Sequence, residues 1–104
     1  MANNNAQLAA LGDTTRRTIF EMIAEEPCSV ADITRRMTVS QSAVSQHLKV
    51  LRDAQLVRAE ARGASNIYHI DPHGLGQVRA WLDRFWGTAL EEFRKHAEEE
   101  GRRK

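Results

Sequence analysis

The sequence predicts a mainly α-helical domain with one small β-hairpin, in the order α-α-α-α-β-β-α. Three observations carry this prediction. Apolar residues recur at helical spacing between legible start and stop signals at Asp13, Pro27, Ser29, Ser40 and Asp71. Two of the helices so delimited are separated only by a tight turn at Thr38-Val39, which makes a helix-turn-helix. The period then shifts to short strand-like runs on either side of Arg62-Gly63-Ala64-Ser65, the pattern of a hairpin, or wing.

Each element has its own warrant. Leu8 and Leu11 lie three apart in an Ala-rich stretch, and Gly12 caps this first helix. Asp13 starts a second helix in which Ile19, Phe20 and Ile23 face inward until Pro27 ends it. Ser29 and Asp32 have capping-box spacing, and Val30, Ile33 and Met37 form the inner face of a short third helix. Ser40 caps a fourth helix over 41–53, with Val44, Leu48 and Leu51 on one stripe, and Val39 and Val44 are spaced as a hydrophobic staple. Strands are expected over 56–60 and 66–70. Asp71 as cap and Pro72 at the first helical position then open a last helix that runs to about His96. The domain spans 6–97, between a disordered N-terminal tail (1–5) and a charged C-terminal tail (98–104).

With 104 residues, 41% hydrophobic and 28% charged, the composition is that of one globular domain. No apolar run approaches the ~20 residues of a membrane span, and the first residues have no signal-peptide pattern. The single cysteine, Cys28, excludes an intrachain disulfide, and a cytoplasmic location is expected. The formal charge is only +1, but it is zoned. Residues 33–70 hold six cations against two carboxylates, a net +4, whereas 83–100 hold three against six, a net −3. No Ser-His-Asp order, glycine-rich phosphate loop or paired-carboxylate motif sits in a setting suited to catalysis, so an enzyme is not expected and no cofactor is implied.

Function is written most clearly on the fourth helix. Opposite its apolar stripe stand Gln41, Ser42, Ser45, Gln46, Lys49 and Arg52. Short hydrogen-bonding side chains in the first two turns suit base edges, and the cations that follow suit phosphates. Gln41, Ser42, Ser45 and Gln46 are therefore the candidate base readers. Arg36, Ser40, His47, Lys49 and Arg52 are candidate backbone contacts, with His47 equally suited to bracing its own helix. Arg62, beside Gly63, is placed for a wing contact in a minor groove or on phosphate.

The segment Ser42-Ala43-Val44-Ser45-Gln46-His47-Leu48-Lys49-Val50-Leu51 resembles the recognition helix of the ArsR/SmtB family of winged helix-turn-helix regulators. Leu11-Gly12-Asp13-Thr14-Thr15-Arg16-Arg17 is similar to the family pattern too, with Thr14 where members often carry proline. The hairpin and its Tyr68, a second wing candidate, fit as well, so the resemblance covers about residues 6–96. It implies a homodimeric, cytoplasmic repressor that releases a DNA operator in response to a signal. It also implies two places to look for metal ligands. At the first, a Cys-x-Cys pair, this chain has Ser29 and Ala31. At the second, Asp71 and His73 supply half a site, with His69 nearby, but Arg84 and Gly87 stand where the remaining ligands belong. No complete metal site is expected. Cys28, just before a helix, is read either as a thiol sensor or as an apolar packing residue.

Leu75, Val78, Trp81, Leu82, Phe85, Trp86, Leu90 and Phe93 wrap more than one stripe of the last helix. Such a helix is expected to pack on its own core with one side and on a twofold mate with the other, joined by Leu8 and Leu11. The sequence thus predicts a homodimeric regulator on an imperfectly palindromic operator. A metal- or thiol-responsive repressor using Asp71 and His73 or Cys28 is the alternative, and a protein-interaction module is the rival class. The effector is not specified.

Overall fold

The computed structural model describes residues 4–102. Among these, the elements are α1 (Asn5–Gly12), α2 (Thr14–Glu25), β1 (Cys28–Ser29), α3 (Val30–Arg36), α4 (Gln41–Asp53), β2 (Val57–Arg62), β3 (Ser65–Ile70) and α5 (Pro72–Arg102). The expected helices and hairpin are all present, and local hydrogen bonding explains their starts. Asp13 Oδ1 accepts from the Arg16 amide at 2.9 Å, and Ser40 Oγ accepts from the Ala43 amide at 3.1 Å. The capping box at α3 is reciprocal: Ser29 Oγ accepts from the Asp32 amide while Asp32 Oδ2 accepts from the Ser29 amide. Asp71 Oδ1 caps α5 by accepting from the His73 amide at 2.9 Å.

The antiparallel sheet has the order β1-β3-β2, with β3 central. The two-residue strand β1, which pairs Cys28 with Tyr68, is too short to leave a periodic signal in the sequence. In the hairpin, Arg62 pairs with Ser65 across a two-residue turn. Gly63, with φ +61° at the first turn position, suits a type II′ turn.

The core is built where α2, α3, α4 and the hairpin meet. Ile19, Ile23, Ile33, Val44, Leu48, Leu51, Leu56 and Val57 are fully buried there. Shielding these branched side chains from water stabilises the domain by ~1.5–3 kcal/mol each, before chain entropy is subtracted.

Several boundaries and roles differ from the sequence-based expectations. Gly12 ends α1 without the left-handed backbone of a glycine cap, because Asp13 follows in an extended conformation as the next cap. Asn5, expected in the tail, is helical, and residues 1–3 lie outside the described residues. The last helix does not stop near His96. Arg94 pairs with Glu91 and Glu98, one helical turn either way, and α5 continues to Arg102. Residues 103–104 of the expected charged tail are likewise outside the described residues.

The main correction concerns the inner side of α5. No apolar side chain of α5 belongs to the core cluster, and α5 leans mainly on α1. Val78 and Trp81 are half-buried, while Leu82, Phe85, Trp86, Leu90 and Phe93 are exposed, Phe93 by 71%.

Candidate nucleic-acid interface

The recognition surface begins with α4, whose stripe of Val44, Leu48 and Leu51 is locked into the core. That anchoring fixes the rotation of the helix. Gln41, Ser42, Ser45, Gln46, Lys49 and Arg52 consequently all stand in solvent. Ser42, Ser45, Gln46 and Lys49 fall at i, i+3, i+4 and i+7, so one side of the helix presents three hydrogen-bonding side chains followed by a cation. A 13-residue helix is about 20 Å long and slim enough for a major groove.

The cations around this face are free to meet phosphate. Among the described residues, no ion pair or hydrogen bond engages the side chains of Arg36, Lys49, Arg52, Arg58 or Arg62. Arg35, by contrast, is held by Asp32. Exposed, unpaired cations need no internal bond broken before they displace counterions from a nucleic-acid backbone.

The wing completes the surface. Its strand register puts Arg58, Glu60, Arg62, Ser65, Ile67 and His69 on one face, and Val57, Ala59, Tyr68 and Ile70 on the other. Arg62 is exposed at the tip. A cleft of about 240 Å³ separates the tip from the starts of α3 and α4, and Gln41, Ser65 and Asn66 are among the residues lining it. The structure thereby brings Gln41 beside the wing. It also leaves Arg58 exposed on the hairpin face that carries Arg62 and brings Asn66, from the opposite face, into the cleft. Neither was singled out from the sequence, where strand alternation alone does not reveal which face is free.

Three expected contacts are placed differently. Tyr68 lies on the wing strand β3, but its side chain is buried in the core, opposite Cys28 on one side and Ala59 on the other. His47 is half-buried, and its Nδ1 accepts from Arg16 Nε at 3.4 Å, the bracing role. Ser40 Oγ is engaged in the cap of α4.

The metal and thiol candidates are separately engaged. His69 Nε2 lies 2.8 Å from Glu60 Oε2 across the hairpin. Asp71 is occupied as a cap, and His73 Nε2 contacts Gln77. Among the described residues, no three His, Cys, Asp or Glu side chains gather into a metal-binding group. Cys28 is buried. Burial pushes its thiol pKa up and the charge of Asp32 adds to the effect, which is the reverse of an activated thiolate.

A capped helix-turn-helix with a solvated polar face, flanked by a hairpin with free arginines, defines a winged helix-turn-helix DNA-binding protein. The family model described as "Bacterial regulatory protein, arsR family" matches residues 13–59. HTH-type transcriptional regulator Rv2034 of Mycobacterium tuberculosis is 46% identical over 92 residues, covering 88% of this chain and 86% of that protein. The chain belongs to the ArsR family and is a DNA-binding transcriptional regulator, not an enzyme.

It is also 33% identical to a transcriptional repressor SmtB homolog of Synechocystis sp., over 72% of this chain and 58% of that one. Among solved structures, a possible transcriptional regulator for arsenical resistance superposes with a TM-score of 0.70 at 37% identity, covering 78% of this chain and 84% of that one. No helix among the described residues is long and apolar enough to cross a membrane.

Proposed function

We propose that the chain is a cytoplasmic, homodimeric repressor of an imperfectly palindromic DNA operator. The observation that carries this reading is the polar face of α4, exposed along its whole length beside unpaired cations. In this reading Gln41, Ser42, Ser45 and Gln46 meet base edges in the major groove. Arg36, Lys49 and Arg52 meet phosphates, and Arg62 on the wing contacts the adjacent groove or backbone. The repressor assignment is supported by the repressor named among its relatives.

Dimerisation is supported by the apolar face of α5. Leu75, Leu82, Phe85, Trp86, Leu90 and Phe93 are exposed together on one helix, with Leu8 exposed on α1. A patch of this kind marks an association surface. A twofold mate seated there sets two α4 helices side by side and keeps the acidic distal part of α5 away from DNA.

Selection from a random DNA pool tests both halves of the proposal, beginning with comparison to the region upstream of the chain's own gene. The expected product is a site with twofold symmetry and half-site centres about one helical turn apart, or a multiple of it. Lys49→Ala is expected to weaken binding to all sites and to reduce the salt slope by about one unit. Selected sites without symmetry would overturn the dimeric reading, and the absence of any salt-sensitive, selective binding would overturn the operator reading.

A further inference from the structure

The C-terminal end of α4 is held by the two helices that carry the apolar face. Ala54, Gln55 and Leu56 leave α4 in succession, and each carbonyl accepts a bond from α1 or from the start of α5. Gln7 on α1 donates its Nε2 to Ala54 O at 2.8 Å. The Gly74 amide in the first turn of α5 donates to Gln55 O at 2.8 Å, and the Asp71 amide at its cap donates to Leu56 O at 2.9 Å.

This junction is tight and strained. Gln7 is only 3% exposed, a rare setting for a primary amide. A Cβ placed on Gly74 would fall 2.2 Å from Gln55 O and 2.8 Å from Ala54 O, so α5 docks backbone to backbone. Gln55 itself has φ +60°, where a non-glycine residue is disfavoured. Local bonds of the helix end help to hold it there: the Gln55 amide donates to Arg52 O and the Leu56 amide to Leu51 O, the two bonds of a Schellman motif.

We infer that Gln7 is a positioning residue for operator recognition, and that with Gly74 it transmits the placement of α1 and α5 to the recognition helix. This inference rests on the proposed dimeric operator reading. If a mate seats on α1 and α5, the distance between the two α4 helices depends on how rigidly each α4 is tied to that interface. The tie is made at three consecutive carbonyls, and Gln7 supplies the one bond that comes from a side chain. Loosening it lets α4 shift relative to the dimer axis while leaving every base-facing side chain in place. The discriminated quantity is then the spacing between half-sites, not the sequence of each half-site.

The experiment uses the full chain with the selected operator and with versions carrying one base pair more or fewer between the half-sites. Gln7→Leu removes the amide while keeping the bulk, and Gly74→Ala forces the α5 backbone away from Gln55 O. Binding, dimer dissociation and unfolding midpoint are measured for each. The expected result for either variant is a roughly tenfold loss of preference for the native spacing, the scale of one buried hydrogen bond. For Gln7→Leu, half-site sequence preference and dimer dissociation should stay at wild-type values. A merely structural role would weaken all spacings in parallel with the unfolding midpoint, and that result overturns the inference. So does full retention of spacing preference in Gln7→Leu. A wild-type protein with no spacing preference at all would instead overturn the underlying dimeric operator reading, and the inference with it.

Discussion

At the scale of single residues, the chemistry of side chains on α4 is separable from the backbone that presents them. Gln46 is exposed and its amide suits the paired donor and acceptor of an adenine edge in the major groove. Gln46→Ala is expected to cost ~1–3 kcal/mol at one position of each half-site and leave the others unchanged, as measured with an operator substitution series. Equal weakening of every sequence would make Gln46 a backbone-positioning contact. Gln55 belongs to the backbone side of the ledger, because its left-handed φ of 60° is intrinsically costly for a residue with a Cβ. Gln55→Gly keeps the carbonyl that Gly74 uses and is expected to stabilise the fold by about 1 kcal/mol in chemical denaturation. A lower midpoint would show that the glutamine side chain contributes more than its backbone conformation costs.

At the scale of elements, helix caps link the fold to pH. Accepting the Arg16 amide holds the Asp13 carboxyl below its ordinary value, and accepting the Ser29 amide and hydroxyl hydrogen bonds does the same for Asp32. A depressed folded-state pKa means that the stabilisation is fully present above the unfolded value and is lost as pH falls through the folded one. The unfolding midpoint is therefore expected to decline below about pH 4, the carboxylate range. Asp13→Asn keeps an equally good cap without a titrating group, so its acid limb should be flatter than that of the wild type in thermal melts taken from neutral to acid pH. An unchanged limb would remove Asp13 from the acid response.

At the scale of the whole molecule, the decisive asymmetry is between a closed core and an open helix. The contacts of α2, α3, α4 and the hairpin, with Ala10 from α1, complete the core cluster without any apolar side chain from α5. Substitutions on the exposed face of α5 should therefore spare the protomer fold and act on association. Leu82→Lys combined with Trp86→Lys is expected to give a folded monomer by sedimentation, with operator affinity reduced at least about a hundredfold because one half-site contributes alone. A dimer that persists with wild-type affinity would place the interface elsewhere. The charge distribution belongs to this scale as well. A total of +1 gives no hint of a nucleic-acid partner, whereas +4 over 33–70 and −3 over 83–100 describe a molecule with two electrically different ends.

The sequence by itself determined the order of the helices, the capping box at Ser29 and Asp32, the bounds of α4 and the family to which the chain belongs. Those features depend on neighbours within a turn or two, or on a contiguous motif, and local hydrogen bonding and period express them directly. The placement of Tyr68 inside, the bracing of His47 by Arg16, the pairing of Cys28 in β1 and the exposure of most of α5 were decided by tertiary structure. So were the three carbonyls after α4, held by residues as distant in the chain as Gln7 and Gly74. An alternating strand pattern leaves open which face meets the core, and an apolar helix does not reveal how much of it finds a partner within its own chain. Only the assembled packing sets which polar groups lose water and which stay free to exchange it for DNA.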